Sequence, residues 1–440
     1  MKNAKLLFAF CAAIGLLFTS CNNRPLRIFQ SNSARTNYLN ALRSAGIDRT
    51  KIGRDWHSSA EQALLDAPIL EIPASIQGSF KSKSIEARAW TIELEQGATV
   101  SVAVRWDARD SSDLIIDFLA GPDWEALESF ASQNNTVNLE ASRSGQYLIR
   151  IQPELLGEGN YQVKVSGTPT YAVFPVQGKN SRAIQSVWGD IRDGGKRSHE
   201  GVDIFASRGT PVLAPVAGVV TAVRDRGLGG KQVWLFDRTR NWRLYFAHLD
   251  SQLVNQQQVV KPGDTLGLVG NTGNARTTAP HLHFGIYQNG AINPYPAIKD
   301  TFEPAPELNP ESPPRVMKVK VTKANLRTGP SLRSEVRTTL ALETPVFVDA
   351  ATAEWYQVRT LQGIVGFLSK SGLTPADSIP LSGGKAVALT NLNPLLQDSL
   401  SIQLSEFVKL GSGEGYDLIQ DRQENLLFLP SRNVLTRLGK

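Results

Sequence analysis

Pro280-His281-Leu282-His283-Phe284-Gly285 sets two imidazoles two residues apart inside an apolar run. Strand side chains repeat with period two, so the run predicts a β-strand with both histidines on one face. Burying two imidazoles side by side is costly unless they serve a purpose. A metal held by one and a proton handled by the other would supply it. Two further pieces stand upstream, His199-Glu200-Gly201-Val202-Asp203 and Tyr245-Phe246-Ala247-His248-Leu249, so residues 171–302 hold four of the five histidines. The fifth, His57 beside Trp56, lies in a helical-period segment where a lone histidine reads as structural.

The two cysteines, Cys11 and Cys21, are both near the N-terminus, so a metal site in the body of the chain must use His, Asp or Glu. A catalytic zinc takes three protein ligands and leaves a fourth position open to water. His199, Asp203 and His283 would supply two neutral nitrogens and one carboxylate, leaving a net positive centre that acidifies bound water. His248 and His281 then remain for proton transfer, and spacing does not say which is base and which is oxyanion partner. Gly201, Gly209 and Gly218 read as backbone accommodations at turns.

With these pieces go GVDIFASRGTPVLAPVAGVV (201–220), the isolated histidine of YFAHL, the glycines of GLVGNTGNA (267–275) and HLHFGIY (281–287). Residues 176–302 thereby resemble the lysostaphin- and LytM-type zinc endopeptidases of bacterial cell walls. The resemblance implies an antiparallel β-sheet peptidase domain with zinc on His199, Asp203 and His283, and His248 and His281 assisting catalysis. It also implies a substrate, the peptide cross-links of peptidoglycan. The stretch from Asn274 to Ala279 is longer and more basic than that family's usual connection.

Outward from this domain the chain changes character. Residues 76–170 hold short alternating runs such as Val100–Val104, Gln146–Ile151 and Tyr161–Val165, which predict an antiparallel β-sandwich. GQYLIRIQPELLGEGNYQVKV (145–165) resembles the last hairpin of pre-peptidase C-terminal-type sandwiches. Residues 303–315 carry five prolines, a composition that predicts a semi-rigid extended spacer. In residues 316–375, Asn325-Leu326-Arg327-Thr328-Gly329-Pro330-Ser331, Trp355-Tyr356-Gln357-Val358 and Gly363-Ile364-Val365-Gly366-Phe367-Leu368 resemble bacterial SH3-like barrels; Trp355 and Tyr356 are candidates to line a peptide groove, with at least one of them expected in the core of so small a domain. Residues 376–440 read as a β-rich extension. The expected fold is therefore mainly β: a sandwich, a lysostaphin-type sheet and an SH3-like barrel.

At the N-terminus, Lys2 and Lys5 precede the apolar run Leu6–Phe18 and the small residues Thr19-Ser20, which describes an export signal over residues 1–20. Phe18-Thr19-Ser20-Cys21 resembles a bacterial lipobox, so Cys21 is the expected lipidation site, anchoring the chain on the periplasmic face of the outer membrane. Residues 21–75 read as a spacer with short helices. With 41% hydrophobic and 20% charged residues in 440, the composition excludes polytopic membrane and disordered classes. The net charge of +6 resides in residues 176–302, with 15 Lys/Arg against 9 Asp/Glu, which suits an anionic partner. The resemblance makes that partner peptidoglycan and not nucleic acid. The competing expectation is a non-catalytic wall-binding regulator of another hydrolase, which loss of a ligand would have favoured; none is lost.

Overall fold

The computed structural model describes residues 33–131, 136–309 and 313–376, together with five strands between 387 and 436. The expected signal segment and Cys21 lie outside the described residues. The chain is mainly β, as its alternating runs predict.

The sandwich packs two antiparallel layers. One is ordered Arg88–Leu94, Gly145–Pro153, Leu114–Ala120, Glu125–Ala131, and the other Ala74–Phe80, Gly159–Thr168, Thr99–Ala108, Thr136–Glu140. Inward-facing Ile76, Trp90, Ile92, Val102, Phe118, Ile149 and Val163 form a closed core between them.

Residues 21–75 were expected to be a spacer with short helices, and from residue 33 they hold two helices that pack on the sandwich. Helices α1 (Ala34–Ser44) and α2 (Lys51–Leu65), capped by Ser33 and Thr50, lie on the outer face of the first sheet. Trp56 is 1% exposed, packs against Leu42 and Ile115, and donates its indole N–H to the Pro153 carbonyl at 2.9 Å. Arg35 and Arg150 both engage Asp117, at 2.7 and 2.8 Å. The sequence explains this in retrospect: Leu114-Ile115-Ile116-Asp117-Phe118-Leu119-Ala120 is buried throughout, and a strand without alternation needs cover on both faces.

The proline-rich segment does not hold the barrel away. Ala74–Phe80 pairs with the barrel strand Pro345–Ala351, and Trp90 donates to Gln357 Oε1 at 2.7 Å in a buried contact. Ala350 and Phe367 of the barrel sit within the sandwich core, and Trp355 packs against it. Packing on the sandwich, and not an open groove, occupies much of the Trp355 ring. Tyr356 is half-buried against the barrel's own core of Met317, Val319, Leu326, Val346 and Val358. Side chains can shorten a proline-rich path when apolar surfaces at its two ends fit each other, because burial there outweighs chain stiffness.

The intervening domain is built on a ten-stranded antiparallel sheet, whose central order runs Lys231–Asp237, Trp242–Gln252, His281–Tyr287, Val202–Phe205. One face carries Val202, Ile204, Leu244, Phe246, Leu282, Phe284 and Ile286, all fully buried. The opposite face is left for polar groups. The sandwich, with 8 Lys/Arg against 13 Asp/Glu in residues 76–170, touches this basic domain directly: Arg240 takes both Glu140 oxygens at 2.7 and 2.8 Å and also Asp237 at 3.0 Å. The last strands form a meander, Val408–Gly413, Tyr416–Gln420, Leu426–Pro430, beside a pair, Val387–Leu389 with Val434–Thr436.

Candidate metal centre

Register brings the ligand candidates together. His283 stands opposite Asp203 on one neighbouring strand and Ala247 on the other, and His281 stands opposite Phe205. Cross-strand partners share a face. His199, on the loop leading into Val202–Phe205, closes the group: His199 Nε2, Asp203 Oδ1 and His283 Nδ1 form a triangle with edges of 3.0–3.1 Å.

That triangle is electrostatically incomplete. His199 Nδ1 lies 2.9 Å from the Val187 carbonyl, which can only accept, so Nδ1 carries the proton and Nε2 a lone pair. Asp203 Oδ1 is an acceptor. At most one proton, on His283 Nδ1, serves three converging donor atoms, whereas a cation would satisfy all of them. Ligands at about 2.0–2.1 Å around a tetrahedral ion stand roughly 3.3 Å apart, within a few tenths of what is seen. His199, Asp203 and His283 can therefore hold a metal ion.

Gly201 makes room for this. A Cβ there would lie 2.6 Å from His283 Cε1 and 2.8 Å from Nε2, so the close approach of the ring requires glycine. Burial opposes charge on Asp203, yet its contacts with His199 and His283 outweigh it and hold the carboxyl far below the usual carboxylate range. Its other oxygen meets Arg192 at 2.7 Å. Burial lowers His283's proton affinity, which favours the neutral, ligating form.

The two remaining imidazoles sit beside the triangle. His281 Nδ1 donates to the Ala279 carbonyl and His248 Nδ1 to the Thr272 carbonyl, each at 2.8 Å, which leaves both Nε2 atoms basic. His281 stacks on Phe205, and its Nε2 lies 4.0 Å from Asp203 Oδ1. The two rings meet edge to face with centroids 5.1 Å apart. Burial, then the neighbouring His283 and His281, lowers the His248 pKa to about 4. Strict alternation would point His248 to the face opposite Ala247, into the core. It has instead a left-handed φ of +61°, and this turns the ring into the groove.

All five side chains line one groove of about 760 Å³. Residues 197–294 match the model of Peptidase family M23, and residues 322–374 that of the Bacterial SH3 domain. The chain carries a peptidase family M23 domain.

Among curated proteins, the L-Ala–D-Glu endopeptidase of Bacillus subtilis is 37% identical over 139 residues, covering 29% of this chain and 42% of that protein. The peptidoglycan DD-endopeptidase ShyC of Vibrio cholerae is 34% identical over 111 residues, 25% of this chain and 24% of its own. The chain thus spans less than half the length of these relatives. Among solved structures, the catalytic domain of lysostaphin from Staphylococcus simulans is 31% identical, covers 27% of this chain and 94% of that one, and has a TM-score of 0.25.

Several groups of the M23 groove escaped the sequence. Tyr287 lies on the His281 face by the same period of two, a signal present in HLHFGIY, and Tyr245 faces it from the next strand with ring centroids 6.2 Å apart. Burial raises both phenols to about 12, so they stay protonated as potential donors. Arg192 and the orienting carbonyls of Val187, Thr272 and Ala279 carry no local signature, because main-chain positions are set by the fold.

Proposed function

We propose that this chain is a zinc endopeptidase that hydrolyses peptide cross-links of bacterial peptidoglycan. The observation that carries the reading is the triangle of His199, Asp203 and His283 next to two imidazoles whose Nδ1 protons are tied to carbonyls. The M23 match and the cell-wall endopeptidases among its relatives support it.

When bound on His199, Asp203 and His283, zinc supplies a Lewis acid and an acidified water. The residues around it do the rest. His248 and His281 tie their Nδ1–H groups to carbonyls and leave their Nε2 atoms to the groove, so the pair can accept the proton of the attacking water and return it to the leaving amine. Their rings are held by carbonyl anchors, which removes the cost of orienting them during reaction. Tyr245 and Tyr287 keep their hydroxyl protons and can donate to substrate carbonyls along the groove. Buried Phe246 and Phe284 pack against each other behind the ligand strands, with ring centroids 5.3 Å apart.

The lipobox-like stretch around Cys21 supports export and anchoring through acylation, with the catalytic domain facing the wall from the outer membrane. The test is mass spectrometry of muropeptides released from diaminopimelate-type sacculi by the full chain, with and without a zinc chelator. Chelator-sensitive conversion of cross-linked dimers to monomers is expected. Intact dimers in both arms would overturn the reading in favour of a non-catalytic wall-binding protein.

A further inference from the structure

A second cavity lies in the seam between the sandwich and the barrel. Its volume is about 680 Å³, and it shares no lining residue with the metal groove. Six cations, Lys81, Lys83, Arg88, Arg109, Arg315 and Arg359, line it against three carboxylates, Glu86, Glu158 and Asp349. Each carboxylate is divided between two cations. Glu158 meets Lys81 at 3.4 Å and Arg109 at 2.9 Å, and Asp349 meets Arg88 at 3.2 Å and Arg359 at 3.0 Å. Glu86 meets Arg88 and, at 3.8 Å, Arg359. Among the described residues, Lys83 and Arg315 meet no carboxylate, and both are exposed at the mouth. Arg88 Nε, buried in the floor, has no hydrogen-bond partner.

Such a cavity concentrates positive potential, since six cations line it against three carboxylates. It is far larger than one inorganic anion needs and falls in the range of small-ligand sites. The interleaved carboxylates would repel a compact polyphosphate, but they offer acceptors to an amine. A flexible ligand with spaced carboxylates and an ammonium group matches both signs.

We propose that this seam binds a short peptide carrying free carboxylates and an amine, with Lys83 and Arg315 as its carboxylate clamps. Binding there requires both modules, because the sandwich and the proline-rich segment supply the clamps and the barrel supplies Asp349 and Arg359. The site would hold a peptide away from the metal groove while the groove works on another.

The test is calorimetric titration of the full chain with the tetrapeptide L-Ala–γ-D-Glu–diaminopimelate–D-Ala, with its carboxyl-amidated form, and with inorganic phosphate. Turnover of a soluble cross-linked dimer is measured in parallel. The double variant K83A/R315A removes two exposed side chains and should retain its fold and turnover while binding the tetrapeptide at least about tenfold more weakly. K83E/R315E should weaken it further. Wild-type affinity in both variants, equal binding of the amidated peptide, or phosphate binding as tight as the peptide's would each overturn the proposal. The binding arm does not need catalysis, so a chain that cleaves nothing but shows this clamp-dependent affinity still supports it.

Discussion

The sharpest prediction concerns Gly201, which is not itself a ligand. In Gly201→Ala the new Cβ would lie 2.6 Å from His283 Cε1 and 2.6 Å from the Phe284 carbonyl oxygen. Ordinary carbon contacts begin near 3.4 Å, so a gap of about 0.8 Å must open. The Phe284 carbonyl belongs to a strand paired on both sides and cannot retreat, so residue 201 must back away from it while the His283 ring swings out of its own clash. Metal sites tolerate roughly ±0.2 Å in ligand distance, so a displacement several times larger detaches His283 as a ligand. Loss of an orienting group alone typically costs 10–100-fold in metal affinity, and loss of a ligand costs more, so zinc binding should weaken by at least about 100-fold. Overpacking should also cost about 1–3 kcal/mol of stability.

A control separates the two effects. Gly218→Ala puts a Cβ 2.5 Å from the Phe236 carbonyl in the same sheet, far along the strand order from the ligands. It should lower stability similarly and leave zinc affinity alone. The assay is competition with a chromophoric chelator on both variants, alongside thermal unfolding of each. Wild-type zinc affinity in Gly201→Ala would refute the steric reasoning, and equal loss in both variants would reduce it to general destabilisation.

Two further outcomes follow from the geometry. His199→Ala and Asp203→Ala should abolish bound zinc, measured by elemental analysis, whereas His281→Ala should keep it and lose about 10²–10⁴-fold in turnover; equal zinc occupancy in all three would dismiss the ligand assignment. Asp117→Asn should cost about 3–5 kcal/mol at neutral pH in urea unfolding, because Arg35 and Arg150 would remain buried beside a neutral amide. Burial resists the charge of Asp117, but the two guanidiniums outweigh it and hold its carboxyl below the usual value. A depressed folded-state pKa gives stability that is present above about pH 4 and lost as the pH falls through the folded value, so the gap between wild type and variant should shrink at pH 3. A gap independent of pH would contradict the pairing.

Local patterns carried much of the fold. Alternation in Val100–Val104 and Tyr161–Val165 predicts strands that the structure contains, since a half-buried strand imprints its two faces on consecutive residues. The same period puts His281 and His283 side by side before any neighbour is known. What alternation could not supply is the position of His248, where a positive φ breaks the period, nor the tautomers, which depend on carbonyls at Val187, Thr272 and Ala279.

The sequence by itself determined which atoms are available: an all-His/Asp donor set and strands of known face, whereas the space that Gly201 leaves for His283 is a tertiary fact. Tertiary structure alone decided that residues 34–65 cover the sandwich and do not trail from it, that the barrel shares the sandwich core through Phe367 and Ala350, and that six cations and three carboxylates line the seam between them. The reason is one of range. Period and ligand chemistry are properties of a few neighbouring residues, whereas a shared core or a charged cleft exists only when surfaces hundreds of residues apart exclude the same water.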